Sequence, residues 1–593
     1  MIDLGQILTN PEPFVQATRT WIETNAVLLA GCAAGALTVA GVAGVGAGYV
    51  VDRLRDAAED RQRYGGKREA KRAGLLRNPK LEYSGIPLGR IGRKHLCWVD
   101  QEPVLVTGGT RSGKGVGVIR PACLTYGGPM VMYDGGKGEL FRTTSGWRKR
   151  FSHVLNLDLT NPAGVHFNFL EEIDPANPVA GADNLAKSVP RPARSDEHFE
   201  AGADRLMGAV ILHVLHGEPD ERKNMAEVVR LISQGDVGMR RIAETKAHPV
   251  AVDRINALFG GDPFGEKSGD GMKYRGMFYN AALVRLSPFE DPIVARVTGR
   301  SDFRMRDLFR LSPKRRPVSL YLTTPASDDD RLRPVTSMFL SMLMGAIMRE
   351  QPALEGEPMS LLVVDEFASL RLEILQTAIT KIVGCGATML LGAQSLNALR
   401  QAPYGPYNQF RDNIRCHVVY AANDGMTQQE ISQSCGTVTE RRRSTSRSRS
   451  SGTWARSHTE SVSEVEQPVI NPGGVRQLRD RFELVLITGQ PVIRARKIVD
   501  HKDRILRKRL DLPQAALRGS DGAYPDLPHP HRPSAWAGVP VHPQTPEAMA
   551  SGAGAVDDGD LPEPPANDDA TAPPARPKPR RKRKLITAPG GEE

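Results

Sequence analysis

Short apolar runs recur along the chain, each closed abruptly by polar or glycine residues. They are Pro103–Thr107, Met130–Tyr133, Val154–Leu157, Val318–Leu322, Leu361–Val364, Ala387–Ala393 and Cys416–Tyr420. Continuous apolar runs of this length, rich in β-branched residues, predict buried strands rather than the alternating strands of a half-exposed sheet. Residues 75–100 predict a short β-rich lead-in, Ser337–Met348 a buried helix, and Val469–Val499 further ordered structure. From about Asp174 to Arg310 the period changes. Ala203, Leu206, Val210 and Val214 recur at helical spacing, as do Val228, Leu231 and Ile232. The pattern predicts an α/β fold: a sheet domain over 75–173 and 311–511, interrupted by an all-α domain over 174–310.

The two ends of the chain differ from this body. Residues 1–25 are polar, and 26–51 contain no charged residue at all. At ~1.5 Å per residue that stretch predicts one transmembrane helix. Eight basic residues follow in 52–74 (Arg53, Arg55, Arg61, Arg63, Lys67, Arg68, Lys71 and Arg72), against the single Arg19 upstream. This asymmetry predicts a single-pass membrane protein whose long C-terminal part lies in the cytoplasm. A cleaved signal peptide is the competing reading, but its n-region is short and basic, unlike residues 1–25. The pairs Gly31/Gly35 and Gly44/Gly48 fit either helix–helix packing in the membrane or incidental spacing. Residues 512–593 are dominated by Pro, Ala, Gly and Asp, end in a basic run, and predict a disordered tail.

Totals refine the picture. With 593 residues the chain exceeds one compact core. A net charge of +11 suits a nucleic-acid or anionic-membrane partner. The six cysteines form no CxxC pair and no metal-ligand spacing, and so read as reduced, mostly buried thiols.

The candidate chemistry sits where the strands end. Pro103–Thr107 runs into Gly108, Gly109, Thr110, Arg111, Ser112, Gly113, Lys114 and Gly115, after which Val116–Ile119 is long enough to open a helix before Pro121. Strand, glycine-rich turn, Lys and helix form a phosphate loop: backbone N–H groups converge on phosphate oxygens and Lys114 reaches the terminal phosphates. Gly115 stands where a Ser or Thr hydroxyl would ligate Mg²⁺, so water, Ser112 or Thr110 must take that place. Leu361–Val364 is closed by Asp365 and Glu366. In an ATP site, Asp365 is suited to hold Mg²⁺ or its waters and Glu366 to polarise the attacking water. Met130–Tyr133 ends in Asp134, and Ala387–Ala393 ends in Gln394, which reads as a γ-phosphate sensor or a plain strand cap. The Arg/Ser stretch Arg441–Arg456 predicts a mobile loop, either merely solvated or a sequence-independent phosphate contact with Trp454 stacking on a base.

Taken together, several segments resemble the type IV secretion coupling proteins of conjugative DNA transfer, the TraG-like and TraD-like group. GGTRSGKGVGVIRP resembles that family's phosphate loop, MYDGGKGELF its acidic-lysine segment with one Gly extra and a Pro missing, and VVDEFASL its acidic strand. GAQSLNAL followed by Tyr404-Gly405 resembles its Gln motif, and PVIRARKI its closing strand. The resemblance spans roughly 75–510. It implies a RecA-like P-loop NTPase domain with an inserted all-α domain, assembled as a homohexamer anchored in the inner (cytoplasmic) membrane. Such a motor receives single-stranded DNA with its relaxase and delivers it to components of a secretion channel. The family usually has two membrane spans where one is found here. Lys381 and Arg415 are the basic residues available for an arginine-finger role. Competing readings are an ATPase receptor for protein effectors, a chromosome-partition translocase and a static membrane scaffold. The polar residues 512–593 disfavour the translocase's DNA-reading domain, and Glu366 disfavours the scaffold.

Overall fold

The computed structural model describes residues 64–539, apart from 80–83, 136, 193–195, 259–268, 310–315, 350–358, 402, 407, 409, 450–455, 521 and 530–532. The predicted transmembrane helix at 26–51 and most of the tail, from 540 onward, lie outside the described residues. Among the described residues no helix is long and apolar enough to cross a membrane.

The predicted lead-in forms β1 (Leu76–Arg77), β2 (Ile86–Ile91) and β3 (Lys94–Trp98). The apolar runs follow as β4 (Val104–Thr107), β5 (Met130–Tyr133), β6 (His153–Asp158), β7 (Val318–Thr323), β8 (Ser360–Val364), β9 (Ala387–Ala393) and β10 (Cys416–Val419). Beyond them come a hairpin, β11 (Thr437–Arg449) with β12 (Arg456–Pro468), and then β13 (Phe482–Ile487) and β14 (Ile493–Arg496). Twelve of these strands make one sheet in the order β1-β3-β2-β14-β13-β10-β4-β9-β8-β5-β7-β6. From β10 to β6 every neighbouring pair is parallel, and from β10 outward to β1 every pair is antiparallel. In β4, β5, β7, β8 and β9 every residue is buried. That is why their sequences are continuous apolar runs: helices cover both faces of a parallel sheet, leaving no position for alternation.

Between β6 and β7 lie the helices Pro178–Ser188, Glu197–Gly217, Met225–Ser233, Asp236–Thr245, Pro249–Leu258 and Gly269–Leu286. Ala203, Leu206, Val210 and Val214, the stripe seen in the sequence, are fully buried on the helix Glu197–Gly217. That helix starts at Asp196, whose carboxylate accepts from the His198 N–H. Arg285 is buried against it, bonding Glu200 and Asp204 and the carbonyls of Ala186 and Val189. The five described cysteines are all free thiols.

The helix expected after the phosphate loop does open before Pro121 and runs on through it: Gly115–Ile119 forms a π-helical turn, and Arg120–Thr125 continues as α-helix with Pro121 at its second position. Proline lacks an N–H and crowds the carbonyl four residues back, and the wider π turn moves the hydrogen-bond register past that clash. Two expectations are corrected. The described residues of Arg441–Arg456 are not a loop: 441–449 and Arg456 lie in the β11–β12 ribbon, whose antiparallel ladder runs from Thr437↔Pro468 to Arg449↔Arg456. A ribbon needs a backbone partner rather than a core, and the facing segment supplies it. Finally, 512–539 is not a free tail. Ala515, Tyr524 and Trp536 are buried, and Asp526 binds His153 and Arg316. The Tyr524 hydroxyl receives the Asn156 N–H and donates to the Val154 carbonyl, so it satisfies the open edge of β6. Further on, Trp536 donates its indole N–H to the Ile173 carbonyl at 2.8 Å and packs edge-on to His216.

Removing that anchor is expected to be costly. Trp536→Ala should destabilise the protein by about 3–5 kcal/mol through cavity formation and the orphaned Ile173 carbonyl. A urea unfolding midpoint equal to that of the unsubstituted protein would show that the segment contributes nothing to stability.

Candidate functional site

Strand register assembles the site. Thr107 pairs with Ala393, Val106 with Gly392, and Val364 with both Leu391 and Tyr133. The C-terminal ends of β4, β9, β8 and β5 therefore lie side by side, where ligands bind in parallel sheets. The residues that follow each end are the phosphate loop, Gln394, Asp365 with Glu366, and Asp134.

The loop rises from β4, with Gly108 N–H bonded to the Ala393 carbonyl and Ser112 N–H to Gly109. Its crest uses left-handed backbone at Arg111 (φ 62°) and at Gly113 (φ 99°), which costs a residue bearing a Cβ roughly 1–2 kcal/mol. Thr110 and Arg111 are exposed, while Lys114 is buried and its ammonium donates to the Gly108 carbonyl. Burial pulls the Lys114 ammonium below its usual range, and the nearby Asp365 and Glu366 oppose that shift. The Ser112 hydroxyl is buried without a partner. Two glycines of this region are required by packing: a Cβ on Gly108 would lie 2.6 Å from the Tyr420 Cβ, and one on Gly117 2.3 Å from the Tyr420 hydroxyl. Gly115 differs, since a Cβ there meets nothing within 4 Å.

Opposite the loop stand the two acids. Asp365 is buried, and one carboxylate oxygen receives the Lys137 ammonium at 2.7 Å. Its other oxygen is buried with no partner. Asp365 fits there because β9 carries glycine at the neighbouring position; a Cβ on Gly392 would lie 2.5 Å from that free oxygen. Glu366 adopts left-handed backbone (φ 57°, ψ 40°), which turns the chain sharply out of β8. Burial raises its carboxyl above the usual range, against the pull of Lys114, and the Gln394 side chain hydrogen-bonds it. Glu366 also lines a cavity of about 600 Å³ with Arg191, Arg285, Arg333 and Arg371, which links the strand ends to the helices between β6 and β7.

Asp134 behaves differently from the other strand-end acids. Its two oxygens accept the backbone N–H groups of Lys137, Gly138 and Leu140, so it caps the helix Glu139–Arg148 and holds the Lys137 turn in place. Lys137, noticed in the sequence only as part of a motif, is thereby the direct partner of Asp365. Arg120 was missed altogether: it ties the helix after the phosphate loop to Asp500 at 2.6 Å and to Glu139. Of the two basic residues considered for an arginine finger, Lys381 is exposed at the end of the helix Leu375–Lys381. Arg415 precedes β10, at the opposite end of the sheet from the phosphate loop, and pairs with Glu102.

A cradle of backbone N–H groups, a buried ammonium, a carboxylate with one free oxygen and an adjacent amide-bonded carboxylate are what a nucleoside triphosphate with a hard divalent cation requires. Among known proteins, a sequence model of the family "Type IV secretory system Conjugative DNA transfer" matches residues 67–520. Two conjugal transfer proteins TraG of Escherichia coli are 28% and 27% identical over 443 and 555 residues. The first alignment covers 70% of this chain and 69% of that protein, the second 85% of each. Protein VirD4 of Agrobacterium fabrum is 29% identical over 457 residues, covering 72% of this chain and 64% of that one. Among solved structures, the bacterial conjugative coupling protein TrwBdeltaN70 superposes with a TM-score of 0.55 at 20% identity, covering 74% of this chain and 92% of that one. Plasmid coupling protein TrwB in complex with ADP and Mg²⁺ gives 0.54 at 20% identity, covering 78% and 97%. These structures share the mixed α/β NTPase fold. The chain belongs to the type IV secretory system family of conjugative DNA transfer.

Proposed function

We infer that this protein is an ATP-driven coupling protein, which receives a relaxase–DNA complex and passes it to a type IV secretion channel during conjugation. The observation that carries the reading is the meeting of the Gly108–Gly115 loop with Asp365, Glu366 and Gln394 in a chain matched to the conjugative transfer family over 67–520. The RecA-like body is assigned to 75–173 and 311–511 and the all-α insertion to 174–310. One membrane span at 26–51 and a homohexameric ring complete the proposal, the ring because a threaded strand must meet basic groups from successive subunits.

The residues divide the work as follows. Backbone N–H groups from Gly109 to Val116 cradle the phosphates, and Lys114 reaches the β- and γ-phosphates. The free oxygen of Asp365 suits Mg²⁺ or one of its waters, and Lys137 holds that carboxylate in place. Mg²⁺, when bound, neutralises charge on the phosphate oxygens. Glu366 accepts a proton from the attacking water; its raised proton affinity favours that role. Gln394, bonded to Glu366, is placed to sense loss of the γ-phosphate.

Lys114→Ala should abolish nucleotide binding, whereas Glu366→Gln should bind ATP and hydrolyse it at least 100-fold more slowly, on the order of a lost general base. Radiolabelled ATP retention and phosphate release measure the two; a Glu366→Gln protein turning over at the original rate excludes Glu366 as the base.

The open space at Gly115 leads to a second expectation. Gly115→Ser should preserve or modestly tighten Mg²⁺-ATP binding, since its hydroxyl has room and can replace a water on the cation. Calorimetric titration that shows binding lost would mean the loop backbone needs glycine at this position.

Single-stranded DNA should raise the ATPase rate and promote assembly together, with an affinity falling steeply with salt as phosphates are neutralised. The full chain in detergent, assayed at low salt with and without a long oligonucleotide, tests this. A rate and an oligomeric state indifferent to DNA would favour a receptor for protein effectors.

A further inference from the structure

Behind the phosphate loop, on the side away from Asp365, three polar side chains are buried that the proposed chemistry does not use. They come from three neighbouring strands of the sheet: Tyr420 directly follows β10, Glu483 lies within β13, and Lys497 directly follows β14. Tyr420 and Glu483 are fully buried and Lys497 nearly so. The Lys497 ammonium donates to the Ser112 carbonyl at 2.8 Å and sits 4.3 Å from the centre of the Tyr420 ring. Tyr420 donates its own N–H to the Thr107 carbonyl at 2.8 Å, and packs tightly on Gly108 and Gly117, at the two ends of the loop.

The crest of a phosphate loop has a choice at each peptide: its N–H or its carbonyl can face the ligand. Only the N–H orientation attracts phosphate. The Ser112 carbonyl shares its peptide with the Gly113 N–H, and this peptide is flanked by left-handed backbone at Arg111 and at Gly113 itself. The N–H of Ser112 belongs to the preceding peptide and is taken by the Gly109 carbonyl at 3.2 Å. A strained crest of this kind persists only where surrounding structure over-determines it. An ammonium anchored on the sheet and bonded to the Ser112 carbonyl supplies that determination, and adds a second positive charge behind the phosphate site.

We propose that Lys497 is a positioning residue of the nucleotide site, which holds the Ser112 carbonyl away from the phosphates so that the loop's N–H groups converge on them. Glu483 makes this possible. Its carboxyl lies against the Tyr420 hydroxyl, with neither oxygen in a well-formed hydrogen bond, in space left by Gly89, where a Cβ would come within 2.2 Å. Burial raises that carboxyl to about 8. That shift favours its neutral form, which pulls on the ammonium less than a carboxylate would. Lys497 is a member of the segment whose sequence resembles the family's closing strand, but nothing in its sequence position points to the nucleotide; only the order β10-β13-β14 brings it there.

The inference rests on the nucleotide-binding reading above, and the test separates the two. Full-length protein carrying Lys497→Met, Lys497→Arg or Lys114→Ala is titrated with a fluorescent ADP analogue, assayed for ATP turnover, and melted without nucleotide. Lys497→Met should weaken nucleotide binding about 10-fold, the order expected for a lost charge-assisted hydrogen bond, with kcat at saturating ATP changed less than about threefold. Lys497→Arg, which keeps a cationic donor, should recover most of the affinity. Unaltered affinity in a folded Lys497→Met protein, or a fall in kcat without weaker binding, overturns the role. If Lys497→Met melts early, the Arg variant decides: folded and binding, it supports the role; folded and binding no better than Lys114→Ala, it refutes it. Wild-type binding by Lys114→Ala would instead remove the nucleotide reading itself.

Discussion

Asp365 reaches the phosphate loop only because β9 has no side chain at Gly392. The strand between the loop and the acids is a wall, and the carboxylate has to cross it at the one position where a Cβ is missing. Everything else at the site follows from that crossing. It presumes that β4, β9 and β8 run parallel and end in step, so that Val106, Gly392 and Asp365 come level. It leaves one carboxylate oxygen open and hands the other to Lys137, whose turn is in turn held by Asp134. The next residue, Glu366, turns out of the strand through left-handed backbone, and its carboxyl meets Gln394.

Much of this was legible in the residues. Buried parallel strands announce themselves as uninterrupted apolar runs, and functional groups at their C-terminal ends announce the site. The loop, Asp365, Glu366 and Gln394 were found in that way, each as the residue after a run. The insertion's helices were legible from the same principle at a different period. What no local pattern contains is adjacency between strands distant in sequence. Lys497 meets Ser112 and Arg120 meets Asp500 across intervals of 385 and 380 residues. Asp134 shows the complementary limit: its position matched that of the other acids, but three nearby backbone N–H groups claim its oxygens first.

Composition misled at two places for one reason. It estimates whether a segment can form its own core, and neither β11–β12 nor 512–539 needs one. The ribbon is closed by pairing along its backbone. The C-terminal segment borrows a core: single aromatic residues, Tyr524 and Trp536, insert into a body already built, and Asp526 between them pairs with His153 and Arg316. Sparse aromatic residues in a polar segment are thus a better sign of docking than the segment's average character.

Where Gly65 joins the sheet bears on how force is carried through the body. Gly65 donates its N–H to the Val492 carbonyl and bridges to Ile493, at the start of β14. Lys497, whose ammonium donates to the Ser112 carbonyl, directly follows that strand, four positions after Ile493. Tension applied from the N-terminal side therefore enters the sheet through β14 rather than through the helical insertion, and reaches the Ser112 carbonyl along a single extended segment. An extended strand is stiff along its axis, so the mechanical path from Gly65 to the phosphate loop is short and direct, and a pull at Gly65 is felt at the Ser112 carbonyl.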